Sequence, residues 1–237
     1  MILTRNLRKS FGSKAVLTGL DFDAEPGAIT LMVGNNGAGK TTAMRLLAGL
    51  AKPDGGTIAI AGHDMKTARS EALAHLSFLP QAPRFHPRLT AAQVANFYGQ
   101  LRDHNKNASL AALESWGLFE FKHVPTGKLS GGLRQRLALA VFVLAEAPVL
   151  LLDEPGLSLD PEWRMRLQQF LSSEAARGRT VLVATHLLGE WEGKAHRCLL
   201  VENGRCTREI QPNRLRDAFF DSSAAEQPPS AKLIACD

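Results

Sequence analysis

Gly34-Asn35-Asn36-Gly37-Ala38-Gly39-Lys40-Thr41 has the spacing GxxxxGK[ST], in which each residue type has a task. Glycines let backbone N–H groups converge on phosphate oxygens, Lys40 supplies a positive charge to the β and γ phosphates, and Thr41 offers a hydroxyl to Mg²⁺. Far along the chain, Asp153 ends an apolar run and suits a second Mg²⁺ contact, while Glu154 beside it can act as general base or orient a water in line with the γ phosphate. Between them lies Leu129-Ser130-Gly131-Gly132, where the Ser130 hydroxyl and the Gly131 and Gly132 amides at a helix start form a second anion site or an ordinary helix cap. One loop already suffices for a triphosphate, so a second phosphate-contacting element points to a partner molecule. A dinucleotide-binding GxGxxG pattern started at Gly37 fails, because Thr42 stands where glycine or alanine is required.

These residues need strands and helices to hold them. Ile29 to Val33 is a compact apolar run feeding the glycine loop, and residues 40–50 carry Met44, Leu46, Leu47 and Leu50 at helical spacing, with Gly49 near the end. Gly55-Gly56 precedes a short alternating strand at 57–61, and Leu76 to Leu79 is a strand closed by Pro80-Gln81. Residues 82–147 change to helical patterns: Thr90 and Gln93 fit a capping box, and Val94, Phe97, Tyr98 and Leu101 follow. The helix opened by Ser130 has Leu137, Val141 and Leu144 on one apolar face. Strands follow at 149–152, 180–184 and 198–201, the last running into Asn203-Gly204, a hairpin-turn pair. Repeated strand and helix units predict a parallel α/β sheet. Residues 221–237, rich in Ser, Ala and Pro, read as a loosely held tail.

At 237 residues with 45% apolar and 22% charged content, the chain can bury a large core, which excludes general disorder. The longest apolar run, 137–145, is nine residues, whereas a membrane-spanning helix needs about 20. The N-terminus enters a strand-like pattern without a secretory signal, so a cytosolic location is expected. Cys198, Cys206 and Cys236 lack CxxC spacing and are odd in number, which argues against a disulfide framework. The net charge of +5 suits an anionic partner, but no run of five or six basic residues marks a nucleic-acid patch. The remaining histidines, His63, His75, His86, His104, His123 and His196, show no paired metal-ligand spacing.

Over residues 1 to about 215 the order of motifs resembles the nucleotide-binding subunit of ATP-binding cassette (ABC) transporters. Leu129-Ser130-Gly131-Gly132-Leu133 resembles the family signature, Gln81 its glutamine loop, Ser158-Leu159-Asp160 the end of its aspartate loop, and His186 its switch histidine. Phe11 occupies the place of the adenine-stacking aromatic. The resemblance implies a P-loop NTPase fold: a RecA-like parallel sheet core (1–81 and 148–220), an N-terminal antiparallel β subdomain and an inserted α-helical subdomain (82–147), forming one ATPase domain over 1–220. It implies ATP and Mg²⁺ as ligands, with Asn35, Asn36, Ala38 and Thr42 joining the rest of the loop on the nucleotide, Gln81 joining Thr41 and Asp153 at the metal, and Gln81 and His186 joining Glu154 in catalysis. It further implies a head-to-tail dimer with a second copy or a homologous ATPase subunit. Leu129 to Gly132 then meet the nucleotide held by the other protomer, and Asp160 lies at the dimer loop. Integral membrane subunits would be further partners, placing the chain on the cytoplasmic face of the inner membrane without direct nucleic-acid contact.

Three departures from the family pattern stand out: Leu133 in place of glutamine, familiar among export-type members; Gly156 in place of threonine; and Ser158 in place of Ala or Gly. The segment around Phe85-His86-Pro87-Arg88-Leu89-Thr90 is similar to export-type ATPases, some of which serve nitrous-oxide-reductase maturation. A soluble ABC protein acting on ribosomes or nucleic acid is the alternative, though those relatives usually carry two cassettes or a long coiled-coil insertion. Glu154 and His186 argue against a non-hydrolysing structural dimer.

Overall fold

The computed structural model describes residues 1–186 and 188–210. Two long strands, β1 (Ile2–Phe11) and β2 (Lys14–Ala24), form an antiparallel hairpin, and β4 (Gly55–Ile60) and β5 (His63–Asp64) extend it in the order β2-β1-β4-β5. A second sheet has the order β10-β9-β3-β8-β7-β6, built from β3 (Ile29–Val33), β6 (Leu76–Leu79), β7 (Val149–Asp153), β8 (Thr180–Ala184), β9 (Arg197–Glu202) and β10 (Arg205–Ile210). Its members from β9 to β6 run parallel, and only β10 is antiparallel to its neighbour. With helices among these strands, the architecture is that of a P-loop NTPase, as the sequence predicts.

Strand periodicity explains why the central strands are apolar throughout. Successive side chains point to opposite faces, so a strand buried on both sides feeds two cores. Ile29, Leu31 and Val33, with Leu150, Leu152, Val181 and Val183, enter a core shared with the helices; Met32, Leu151, Leu182 and Ala184 enter another shared with the antiparallel sheet and α1 (Lys40–Leu47). The short α2 (Arg69–Ala74) leads into β6.

Residues 82–147 hold α3 (Ala91–Gln100), α4 (Lys106–Ser115) and α5 (Gly131–Val143). Both arms of the capping box form: Gln93 N donates to Thr90 Oγ1 at 3.2 Å and Thr90 N to Gln93 Oε1 at 2.8 Å. A further helix, α6 (Pro161–Ala176), connects β7 to β8.

Several local expectations need correction. The helix of 40–50 stops at Leu47, the chain turns at Gly49 with φ +67°, and Leu50 is exposed. Gly55 and Gly56 belong to β4 instead of preceding it. Helix α5 has no single apolar face: Gln135, Leu137 to Ala140 and Phe142 are all buried, and Leu144 is its C-cap. Its sequence is apolar on most sides because it is packed on most sides. The tail at 221–237, Cys236 and the end of the proposed 148–220 segment lie outside the described residues.

Candidate functional site

Four site-bearing segments leave neighbouring parallel strands at their carboxyl ends: the glycine loop after β3, Gln81 after β6, Glu154 after β7 and His186 after β8. Register aligns them, because Ala184 pairs with both Met32 and Asp153, and Leu79 pairs with Leu152. Open α/β sheets bind ligands at this edge.

The glycine loop is held tightly from behind. A Cβ at Gly34 would lie 2.2 Å from the Val201 carbonyl oxygen, so only glycine lets the loop pass β9 this closely. Asn203 (φ +49°) and Gly204 (φ +74°) form the turn between β9 and β10; Gly204 N donates to the Ala38 carbonyl at 3.1 Å, and its own carbonyl accepts from Thr18 N. Two sheets thus buttress one loop. Helix α1 then starts without a side-chain cap and with no acid in its first turn, which leaves N–H groups and positive dipole directed at the loop.

Lys40 is buried, and its Nζ donates to the carbonyls of Gly34 at 2.7 Å and Asn35 at 3.2 Å, so the loop curls around it. Burial pushes the Lys40 ammonium below the ordinary lysine range, while Glu154 and Asp153 pull it back. Thr41 Oγ1 donates to Asp153 Oδ1 at 3.3 Å. Burial raises the Asp153 carboxyl above the usual carboxylate range, opposed by the Thr41 hydrogen bond, reinforced by Glu154 and opposed by Lys40. A hydroxyl and a buried carboxylate side by side are hard oxygen donors, the kind Mg²⁺ takes. The site's residues therefore fit that ion.

Glu154 takes a left-handed backbone, φ +49°, while its N–H donates to the Ala184 carbonyl at 2.8 Å. That reversal of direction after Asp153 turns the two adjacent carboxylates toward different partners. Asp153 faces Thr41, whereas Glu154 Oε1 lies 2.9 Å from His186 Nδ1, and His186 N donates to Oε2 at 3.4 Å. Glu154 is buried and His186 is largely exposed.

A cleft of about 370 Å³ gathers Phe11, Asn36, Gly37, Gly39, Lys40, Thr41, Thr42, Gln81 and Glu154. Phe11 is 53% exposed, with Lys9 Nζ 5.4 Å from its ring centroid, so it is a surface ring and not a core one. Lys14 and Val16 of β2 line the same cleft, and sequence reasoning missed both because strand alternation alone does not single them out.

Leu129, Ser130, Gly131 and Gly132 do not line that cleft. Leu129 is buried, Ser130 caps α5 by accepting from Leu133 N at 3.2 Å, and nothing lies within 4 Å of a Cβ placed on Gly131. Asp160 similarly caps α6, accepting from Trp163 N at 3.1 Å. A third missed residue ties these regions together: buried Gln135 donates through Nε2 to the Pro155 carbonyl at 3.0 Å, directly after Glu154. Between Arg134 and Arg136 nothing in the sequence singles it out; its burial in the fold obliges the amide to find a partner.

A family profile described as ABC transporter matches residues 17–156. The Nod factor export ATP-binding protein I of Burkholderia lata is 35% identical over 228 residues, covering 94% of this chain and 74% of that protein. The chain belongs to the ABC transporter family. Among solved structures, an ATP-binding subunit of an ABC transporter superposes with a TM-score of 0.84 at 22% identity, covering 95% of this chain and 98% of that one. A bacterial ABC transporter cassette solved as a dimer superposes with a TM-score of 0.82 at 23% identity, over 90% of this chain and 99% of that one. Family membership makes this chain an ATP-binding, ATP-hydrolysing cassette of a transporter.

Proposed function

We propose that this cassette hydrolyses MgATP as one half of a head-to-tail pair and drives conformational change in separate integral membrane subunits of an export system. The observation that carries the pairing is the split of its two anion sites. The glycine loop, Phe11, Gln81 and Glu154 share one cleft, while Ser130 and Gly131 stand outside it on an exposed helix end. A second copy, turned about a twofold axis, would bring its Ser130 to Gly132 to the phosphates held by the first. Asp160 would lie at the same contact. The loop amides, Lys40 and Phe11 would hold the nucleotide. Thr41 and Asp153, with Gln81 nearby, would hold Mg²⁺, which supplies charge neutralisation to the phosphates. Glu154 would accept a proton from, or orient, the attacking water, with His186 holding its carboxylate.

The domain reading follows: one ATPase unit over 1–220, with 82–147 as the helical insertion. Between β6 and the helices α3 and α5 lies a groove of about 380 Å³ lined by Pro80, Phe85, Tyr98, Leu101 and Val141. Tyr98 and Leu101 are exposed there, an apolar surface suited to a docking segment of a membrane subunit. No helix of the described residues is long and apolar enough to cross a membrane, so spanning segments would come from a partner. Attachment would be at the cytoplasmic face of the inner membrane. The name of the Burkholderia lata relative supports export, and nucleic acid is not expected as a direct partner.

The test is ATP-driven pairing in size-exclusion chromatography with Glu154→Gln, alone and combined with Ser130→Arg. The single variant is expected to elute as a dimer with MgATP. The double variant should stay monomeric while still binding nucleotide; dimerisation unaffected by Ser130→Arg would reject the trans site.

A further inference from the structure

Arg164 stands one turn into α6, four residues past the cap Asp160, and its guanidinium has two destinations. Its Nε donates to the Leu159 carbonyl at 2.8 Å, inside the loop that ends at Asp160. Its Nη1 is paired with Glu190 Oε1. Glu190 closes the short turn Leu188–Glu190, four residues beyond His186.

The grip on that turn is doubled. Gln168, one helical turn after Arg164 and therefore on the same face, donates Nε2 to the Glu190 carbonyl at 2.8 Å. Lys194 in turn bonds Gln168 Oε1, fixing which end of the amide faces Glu190. Helix α6 thus holds Glu190 by side chain and by main chain. Through the same arginine it holds the carbonyl next to Asp160. Both Arg164 and Glu190 are about a quarter to a third exposed, shielded enough for the fork geometry to matter and wet enough for the pair to exchange.

We infer that Arg164 is a positioning residue that couples the aspartate loop to the segment carrying His186, so that a shift of the loop at the dimer contact is delivered to the Glu154–His186 pair. This rests on the reading above that Glu154 and His186 serve hydrolysis and that Asp160 lies at the pair contact. Gly156, two residues past Glu154, packs beside the pair: a Cβ there would sit 3.6 Å from both Arg164 Cδ and Glu190 Oε2, an ordinary van der Waals contact. A guanidinium is suited to the task because it is planar and donates in two directions at once, which an ammonium cannot reproduce in fixed geometry.

The experiment compares steady-state ATPase of the full chain as Arg164→Ala, Arg164→Lys, Glu190→Gln and the Arg164→Ala/Glu190→Gln double variant, alongside nucleotide binding by each. Expected is a fall in kcat of about tenfold for Arg164→Ala and for Glu190→Gln, the scale of a small misplacement of catalytic groups, with KM and nucleotide affinity within about twofold. The double variant should be no slower than the worse single one, because both break one connection. Arg164→Lys should recover only part of the loss. Wild-type kcat in Glu190→Gln, or multiplicative losses in the double variant, would overturn the inference. Should Arg164→Ala fail to fold, the near-isosteric Glu190→Gln decides alone. Glu154→Gln and His186→Ala serve as controls: if both stay active, the reading of the site itself fails, whereas their inactivity with normal Glu190→Gln defeats only the coupling.

Discussion

His186 Nδ1 lies 2.9 Å from Glu154 Oε1, although the two residues leave different strands and are 32 positions apart. Parallel pairing of β7 with β8 makes the meeting possible, and the left-handed turn of Glu154 completes it. The Glu154 carboxylate meets the His186 imidazole at one oxygen and the backbone N–H of the same histidine at the other.

Glu154→Gln is expected to keep nucleotide binding and lose ATPase turnover by about 10²-fold or more, the usual range for a general base. Single-turnover hydrolysis with radiolabelled ATP measures it. Turnover within twofold of the wild type would remove Glu154 from the chemistry.

Asp153 gives a pH signature. Its folded carboxyl titrates above the ordinary range because it is buried, so between the two values the folded state binds more protons than the unfolded one. Stability from this group therefore falls as pH rises through that window, and the penalty persists above it. Asp153→Asn should flatten this slope in denaturant titrations across the acidic range, while abolishing Mg²⁺-dependent turnover. An unchanged slope would contradict the assignment.

Gly34→Ala should distort the phosphate loop, since the new methyl meets the Val201 carbonyl oxygen at 2.2 Å. Destabilisation of about 1–3 kcal/mol is expected, as for overpacked sites, together with loss of nucleotide binding. Urea unfolding and fluorescent-nucleotide titration give the two readings.

Phe11→Ala should behave oppositely. The ring is half in solvent, so melting temperature should hardly move, yet nucleotide affinity should drop roughly tenfold if the ring stacks on a base, given about 1–3 kcal/mol per stacked base. Calorimetric titration of ATP checks the prediction.

Some of this was legible in the residues alone. The Thr90–Gln93 capping box and the Asn203-Gly204 turn are local devices whose geometry follows from their own residues, and both form, whereas the glycine loop was legible as a motif but takes its path from Val201 and Gly204 behind it. The alternation of β3, β7 and β8 into two cores was hidden, because a strand buried on both faces shows no polar alternation to read. Helix α5 misled for the same reason. The stop of α1 at Leu47 depended on a turn at Gly49 that leaves Leu50 in solvent. Within the site, the placement of Asp153 and Glu154 at a strand end was readable from the sequence, but the backbone reversal that turns Asp153 to Thr41 and Glu154 to His186 was not. Contacts such as Gln135 with Pro155 join residues 20 positions apart and exist only once the sheet and helices are packed.

The positive φ of Glu154 carries a consequence for variation at this position. A non-glycine residue there holds its backbone at a cost of order 1–3 kcal/mol, and its acid is buried besides. Glycine would relieve the first cost and remove the second. Selection for thermal robustness alone would therefore drive this position away from glutamate, so its retention in a stabilised library marks selection on turnover.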